Sequence, residues 1–451
     1  MAARFGTLPC RQPTTGPTAS ARKRAIELAD ADGLEATSVH GKTHVELSPW
    51  LHFEGVAHYA RSDAEFDGAS AFPPFAPADP ARLLKTRDIA ARAELQAKPA
   101  SWLDTALSYA FAKSGRDDFS NGAPFAFGST FDGTRHRTSL ITTAKLTSGQ
   151  SLLVGADAER LEAGTDSWRG RTSGYGFYGE WQAGFGEALY TTAGLRFDHG
   201  GKFGDHLSGR ATGAWLFRLA EGNLSKLHAS YGTGFREPSL FEQATNLGAA
   251  LPALREETSK AFDIGLNQTL WNGALDLDVT YFDQTIENEI RFDNVGFTGY
   301  FQSAGKSQSR GVEGFGVIER ELGGNWFSSW RLQSAYTYTD AKVHSPDPED
   351  GLPRVRRPRH MSASALTLAF WRDRADLTVS LRTAAKAEDG FREFRVPLDD
   401  YAVFGITSRW RVTPHVEIYA TGVNIANEQY EEISGFATSD AALYVGMRIR
   451  S

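Results

Sequence analysis

The sequence predicts an all-β fold, a transmembrane antiparallel β-barrel, and three observations carry that reading. From about His40 to the C-terminus, segments of roughly ten residues alternate apolar and polar side chains, the period of a strand with different media on its two faces. The joins between segments are alternately short and long. Tryptophans cluster near segment ends, at Trp50, Trp102, Trp181, Trp271, Trp326 and Trp371, as an interfacial girdle requires.

The alternation is clearest in Leu275 to Tyr281, where Leu275, Leu277, Val279 and Tyr281 share one face and Asp276, Asp278 and Thr280 the other. The last segment sets Leu443, Val445, Met447 and Ile449 against Tyr444, Gly446, Arg448 and Arg450, and Val416, Ile418 and Ala420 oppose His415, Glu417 and Thr421. Short joins are expected at Leu47 to Pro49, Pro99 to Ser101, Thr147 to Gln150, Gly184 to Gly186, Ala220 to Asn223, Trp271 to Ala274, Glu321 to Gly324, Arg372 to Ala375 and Val412 to Pro414. Long connections are expected between them, at Arg61 to Arg87, Lys113 to Arg135, Arg236 to Glu256 and Ile286 to Ser303, with Gly200 to Asp205 the one short join on that side. Tight turns on one rim and long loops on the other match the periplasmic and exterior ends of an outer-membrane barrel. The segments number about 19, an odd count for a bacterial barrel.

Composition narrows the function. A net charge of -7 argues against a nucleic-acid partner, and the single cysteine, Cys10, excludes a disulfide framework or a multi-cysteine zinc site. Mean hydropathy is -0.37 and no apolar run approaches the ~18 residues of a spanning helix, whereas aromatics make up 12% and glycines number 45. Residues 1–38 show no alternation and are expected to be irregular or non-native, with the barrel running from 39 to 451. The N-terminus has a basic cluster, Arg22 to Arg24, without the apolar core of a secretory signal. An exported barrel needs such a signal, so either the true start lies upstream or the chain never leaves the cytoplasm.

Residues Ser230 to Gln243, SYGTGFREPSLFEQ, resemble the barrel of TonB-dependent outer-membrane receptors, in which a strand ends in a Gly-x-Gly-Phe-Arg-x-Pro turn before a long exterior loop. Three further stretches fall in the family's order: Arg255 to Ile290, Gly305 to Gly316 with its Gly-Val-Glu, and Gly422 to Glu432, similar to the family's Asn-Leu-Phe-Asp-x-x-Tyr element. RRPRH at Arg356 to His360 and the closing YVGMRIR are weaker matches. The resemblance covers Val39 to Arg450, looks most like the cobalamin and small-siderophore branch, and marks Gly234, Phe235, Arg236, Pro238, Gly311, Glu313, Asn424 and Tyr430 as motif positions. It implies a 22-stranded barrel filled by an N-terminal plug, a lipid-bilayer setting in the outer membrane, a metal chelate or corrinoid as ligand, and the TonB complex as energy-transducing partner. The plug, the TonB-contacting box, the first three strands and a final aromatic residue are not recognisable here. A truncated or mis-started reading of a transporter gene is therefore expected.

Other residues have bland readings beside sharp ones. Phe235, Phe241, Tyr300 and Phe301 lie in or beside long loops, where they either stack on a ligand or pack the loops together. Asp63, Glu65 and Asp67, with Asp347, Glu349 and Asp350, are acidic loop clusters; solvated loop charge is the plain reading and a loop Ca²⁺ site the sharper one, with no other cofactor expected. Gly41-Lys42-Thr43 imitates a phosphate loop but has Ala36 where a glycine is needed, and Gly232-Thr233-Gly234 lacks the third glycine of a dinucleotide turn. His52 and His58 read as lumen-facing, not as metal ligands, and Asp276, Asp278 and Asp283 as polar lining. No catalytic constellation is legible, so a transporter and not an enzyme is expected. A passive porin-like channel and a soluble β-rich binding protein are the alternatives.

Overall fold

The computed structural model describes residues 4–11, 33–69, 77–120, 123–124, 130–201, 204–218, 222–245, 253–293, 296, 298–303, 305–344, 350–391 and 394–449. One antiparallel sheet holds 21 strands, of which 19 form a continuous wall. These are β1 (Leu34–Ser48), β2 (Leu51–Ala69), β3 (Pro77–Ala100), β4 (Leu103–Ser120), β5 (Thr130–Thr147), β6 (Gln150–Thr165) and β7 (Arg169–Phe185). There follow β8 (Leu189–Gly200), β9 (Gly204–Arg218), β10 (Leu224–Arg236), β11 (Glu257–Leu270), β12 (Leu275–Glu287) and β13 (Lys306–Glu321). The wall ends with β14 (Phe327–His344), β15 (His360–Phe370), β16 (Ala375–Ala385), β17 (Tyr401–Arg411), β18 (Val416–Val423) and β19 (Ala442–Ile449). Each strand pairs with its neighbours in sequence, which is the strand count and up-and-down order expected from the alternation.

The remaining two strands of the sheet are Ala123–Pro124, beside β4, and Arg4–Arg11, which pairs with β1 along Glu35 to Lys42. Regular structure thus includes Leu34 to Ser38 and Arg4–Arg11, where the sequence led us to expect an irregular segment. Among the described residues, no ladder joins β19 to the first strands.

The two faces are as the periodicity requires. On β12, Leu277, Val279 and Tyr281 are exposed, Val279 at 56%. Across the ladder they continue into other exposed apolar side chains, such as Leu266 and Ile264 on β11. So much bare apolar surface is stable only against hydrocarbon. The opposite face is polar and satisfied from within the sheet. Asn267 Nδ2 and Thr269 Oγ1 donate to Asp276 at 2.8 and 2.9 Å, and Thr280 Oγ1 donates to Asp278 at 2.8 Å. His228 Nε2 lies 3.2 Å from Asp278, reaching it over Gly265. A Cβ at Gly265 would stand 2.5 Å from the His228 ring, so the close approach needs glycine there. Further round the wall, Lys42 pairs with Glu54 at 2.8 Å and His52 Nε2 donates to Gln96 at 2.7 Å. The phosphate-loop look-alike is therefore lumen lining within a strand.

All nine expected short joins lie on one rim. Trp50, Trp102, Trp215, Trp271, Trp326, Trp371 and Trp410 are exposed near it, and Trp326 and Trp371 pack edge to face at 5.3 Å. Trp181 is only half-buried wall, donating to Gln150 at 3.4 Å.

The other rim corrects the sequence reading. Arg61 to Arg87 and Lys113 to Arg135 are mostly strand, because β2 to β5 are 18 to 24 residues long. A tilted strand crosses a bilayer in about 9–11 residues. These strands therefore stand well above it. A second short join, between Thr165 and Arg169, accompanies the one between Gly200 and Gly204. Among the described residues, long loops follow β10, β12, β14, β16 and β18.

Val279 sits four residues above the β12 turn, near mid-membrane height. Val279→Arg should lower folding stability by about 2–4 kcal/mol, whereas lumen-facing Thr280→Arg should change it by less than about 1 kcal/mol. Urea unfolding in phospholipid vesicles, followed by tryptophan fluorescence, checks both.

Candidate functional site

The candidate site is the long-loop rim, where the five loops are tied into a crown. It begins with the motif at the end of β10. Arg236 makes a forked pair with Glu257 at the start of β11, Nε to Oε2 at 2.7 Å and Nη2 to Oε1 at 2.9 Å. It makes a second with Glu242, at 2.9 and 3.1 Å. Glu242 lies in the short helix Leu240–Thr245, where Ser239 and Glu242 form a reciprocal cap: the Ser239 amide donates to Oε2 at 2.7 Å and the Glu242 amide donates to Ser239 Oγ at 3.1 Å. Buried Pro238 accepts from Gln243 Nε2 at 2.9 Å. The motif is thus a device that folds a loop back over its own strand end. Gly234 stands opposite Ser259, whose hydroxyl would press a Cβ there at 3.1 Å.

The helix sets Leu240 over Gly170, and Phe241 packs on Phe131, Trp168 and Tyr300 with ring centroids at 5.4, 6.1 and 6.0 Å. Tyr300 belongs to the hairpin Ile290–Phe292 with Tyr300–Gln302, and its ring meets Phe292 at 5.2 Å. Burial, and secondarily the charge of Glu242, push the Tyr300 phenol above its ordinary range. Phe235 lies on His206 at 4.0 Å, and Phe301 is opposite Arg291 in the hairpin. Phe241 and Tyr300 share one aromatic cluster, and Phe235 stacks elsewhere, on His206.

Ion pairs carry the crown onward. The Ile290 amide donates to Glu257 at 2.6 Å, and the neighbouring Glu289 receives both arms of Arg354 at 2.9 and 2.7 Å. Arg395 reaches Glu388 at 2.9 Å and also the Pro353 carbonyl. Arg356 donates to Asp389 at 2.6 Å, and Asp389 further accepts from the Ser434 and Gly390 amides at 2.8 and 2.7 Å. Burial alone would raise the Asp389 carboxyl, but Arg356 and the two amides outweigh it and hold the group below the ordinary aspartate range. Glu237, half-buried on Gly200, is pushed up, by burial first and then by Asp198, Glu159 and Glu256.

The remaining motif positions are structural too. Gly311 sits under the Phe282 ring and the Tyr338 carbonyl, leaving no space for a Cβ. Glu313 is exposed on the lumen face, in register with Thr280. Asn424 is 2% exposed at φ 50° and stitches its loop: Nδ2 donates to the Glu428 and Ser439 carbonyls at 2.9 and 3.2 Å, and Oδ1 accepts from the Glu428 amide at 2.9 Å. Tyr430 lies against Tyr401 at 4.2 Å, and its hydroxyl accepts from Arg382 at 2.7 Å.

Of the two acidic clusters, the side chains of Asp63, Glu65 and Asp350 fall among the described residues. Asp63 and Glu65 lie in strand β2, not in a loop; Asp63 faces Lys85 at 3.9 Å and Glu65 accepts from the Gly33 amide at 3.0 Å. The Asp67 side chain, Asp347 and Glu349 fall outside the described residues, and Asp350 is 3.8 Å from His344. Among the described residues no group of three or more carboxylates, histidines or cysteines is arranged to hold a metal. Sequence reasoning missed Glu289, Arg354, Asp389 and Arg395, whose partners lie 7 to 65 positions away and leave no periodic trace.

The family model described as "TonB dependent receptor-like, beta-barrel" matches residues 43–425, 383 of the 451. The chain belongs to the TonB-dependent receptors. Its family consists of outer-membrane receptors and transporters, not enzymes, and the wall is a barrel wall in the outer membrane. The vitamin B12 transporter BtuB of Vibrio cholerae serotype O1 is 23% identical over 277 residues, 59% of this chain and 40% of the relative. The match thus spans about two-fifths of that protein's length. The siderophore receptor PiuA from Acinetobacter baumannii superposes with a TM-score of 0.76 at 13% identity, covering 99% of this chain and 77% of that one. Pseudomonas aeruginosa FpvA, in complex with a pyoverdine, superposes with 0.72 at 14% identity, covering 93% and 65%. These superpositions are likenesses of fold.

Arg236→Ala should free the Pro238 to Thr245 segment, seen as loss of amide hydrogen-exchange protection at Glu242 and Gln243. Arg236→Lys should restore little of it, because one ammonium cannot fork onto two carboxylates. Asp389 gives a pH dependence of known sign. With its folded pKa depressed, its contribution is complete above the ordinary aspartate range and is lost as pH falls below about 4. Protection of the Ser434 amide, corrected for intrinsic exchange, should drop there, and Asp389→Asn should lower it already at pH 7.

Proposed function

We propose that this barrel serves a TonB-dependent receptor that takes up a scarce nutrient, an iron–siderophore or cobalamin. The carrying observation is the crown: Arg236, Arg354, Arg356 and Arg395 hold loops that would otherwise wander. A pre-ordered exterior mouth lowers the entropy of gripping a ligand, and a passive pore has no use for one. The ligand class is supported by the vitamin B12 transporter and siderophore receptors among the similar proteins.

One observation favours a porin-like channel as a second reading. The lumen face is lined by polar side chains such as Lys42, Glu54 and Glu313, which water wets readily. A plugged receptor conducts little, and an open wall of this width conducts in large steps. Expression of the receptor that carries this barrel, in cells lacking their own receptors, should support growth on limiting cobalamin or ferric siderophore, and only with TonB present. Growth that persists without TonB, together with large single-channel steps in planar bilayers, would establish the passive channel instead.

A further inference from the structure

On the lumen face of the first hairpin, close to its turn, two imidazole rings meet. His44 on β1 and His52 on β2 have ring centroids 5.5 Å apart. Parity fixes their direction: each is two residues along its own strand from a member of the Lys42–Glu54 lumen pair. Register fixes their neighbourhood, with Glu54 directly opposite His44 and Glu46 directly opposite His52. His52 follows the first residue of β2, and His44 is four before the last residue of β1. At ~3.3 Å per residue, both lie within about 13 Å of the short-turn rim.

Several other histidines of the wall are matched with different groups. His228 faces Asp278 at 3.2 Å and His199 faces Asp205 at 2.6 Å. His136 and His360 share hydrogen bonds with Tyr109 and Tyr336 at 2.7 and 2.8 Å. The His52 ring, by contrast, is held in one tautomer with a nitrogen to spare. Gln96 donates its amide to Glu94, which Arg92 also grips, so the Gln96 carbonyl oxygen is turned to His52. His52 Nε2 therefore carries the proton and Nδ1 the lone pair. A ligating histidine is oriented in this way, by a partner on its other nitrogen.

Metal–imidazole bonds are ~2.0–2.1 Å, which puts two rings on one ion with centroids about 5–6 Å apart. The spacing of His44 and His52 falls in that range. Glu46 has no ion pair or hydrogen bond among the described residues, so its charge draws a cation to the pair. We propose that His44 and His52 bind one divalent transition-metal ion of the imidazole-preferring class, Cu²⁺ more tightly than Zn²⁺. Among the described residues no group of three such donors is arranged to hold a metal, so water takes the remaining positions. The ion clasps β1 to β2 above their turn, at the periplasmic end of the lumen. The sequence alone gave His52 as plain lining, because its spacing from His44 spans a turn and matches no ligand motif.

The full chain, made without a histidine tag and refolded in detergent, is stripped with EDTA and titrated with Cu²⁺, the bound ion being read by electron paramagnetic resonance. One Cu²⁺ per chain is expected, with splitting from two imidazole nitrogens. His44→Gln and His52→Gln should each leave at most one nitrogen on any ion that still binds. Gln96→Ala, which frees the His52 ring, should keep both nitrogens but weaken binding about 10–100-fold. His415→Gln, on the turn before β18, should change nothing, and excess Mg²⁺, which prefers oxygen ligands, should not compete. Folding is verified by the gel-mobility shift of an unheated sample; should a histidine variant not fold, Gln96→Ala decides. A two-nitrogen signal that survives either histidine substitution, Gln96→Ala binding as tightly as wild type, or a wild-type signal from one nitrogen would each overturn the proposal.

Discussion

Everything in this molecule depends on the backbone finding its hydrogen-bond partners where water is absent. In hydrocarbon an unpaired amide costs several kcal/mol, so a strand survives there only beside another strand. The ladder from β1 to β19 meets that demand by sequential antiparallel pairing, and the demand dictates the rest. Because each strand must show one face to lipid, its side chains alternate. Because the other face looks into water, residues such as Asp276, Asp278 and His228 are placed where they satisfy one another across the sheet.

Outside the membrane the constraint changes. The loops have water, so their backbone is not forced into a ladder, and side chains decide where they go. The crown solves this with guanidinium forks, which bind a carboxylate in one orientation and so fix direction as well as distance. Arg236 joins a strand end, a helical turn and the next strand; Arg354 and Arg356 join loops distant in sequence. The aromatic cluster of Phe241, Tyr300, Phe131 and Trp168 backs this network with apolar contact.

How much of this was legible follows from the same division. The period-two pattern is imposed residue by residue, so strand faces, strand number and the tight rim could be read from Leu275 to Tyr281 and its counterparts. Strand height could not. Above the bilayer both faces meet water, the apolar signal of β2 to β5 fades, and segments such as Arg61 to Arg87 look like loops although they remain paired. The motif from Gly234 to Pro238 announced a loop entry, yet the residues that hold the mouth, Glu289 with Arg354 and Asp389 with Arg356, are ordinary charges until folding brings them together. Asn424 was legible as a motif position. Its role as the buried stitch of its loop required the structure.

The unequal strand lengths have a mechanical consequence. On one half of the circumference the rim is a paired sheet, with ladders such as β3–β4 reaching Arg82 and Ser120; on the other it is a set of loops on strands as short as eight residues. Bending a ladder strains many bonds in parallel, whereas swinging a loop breaks a few salt links. A load on the mouth would therefore be taken up first by the loops of the β10–β19 half, with the β2–β7 ladders as the stiffer support.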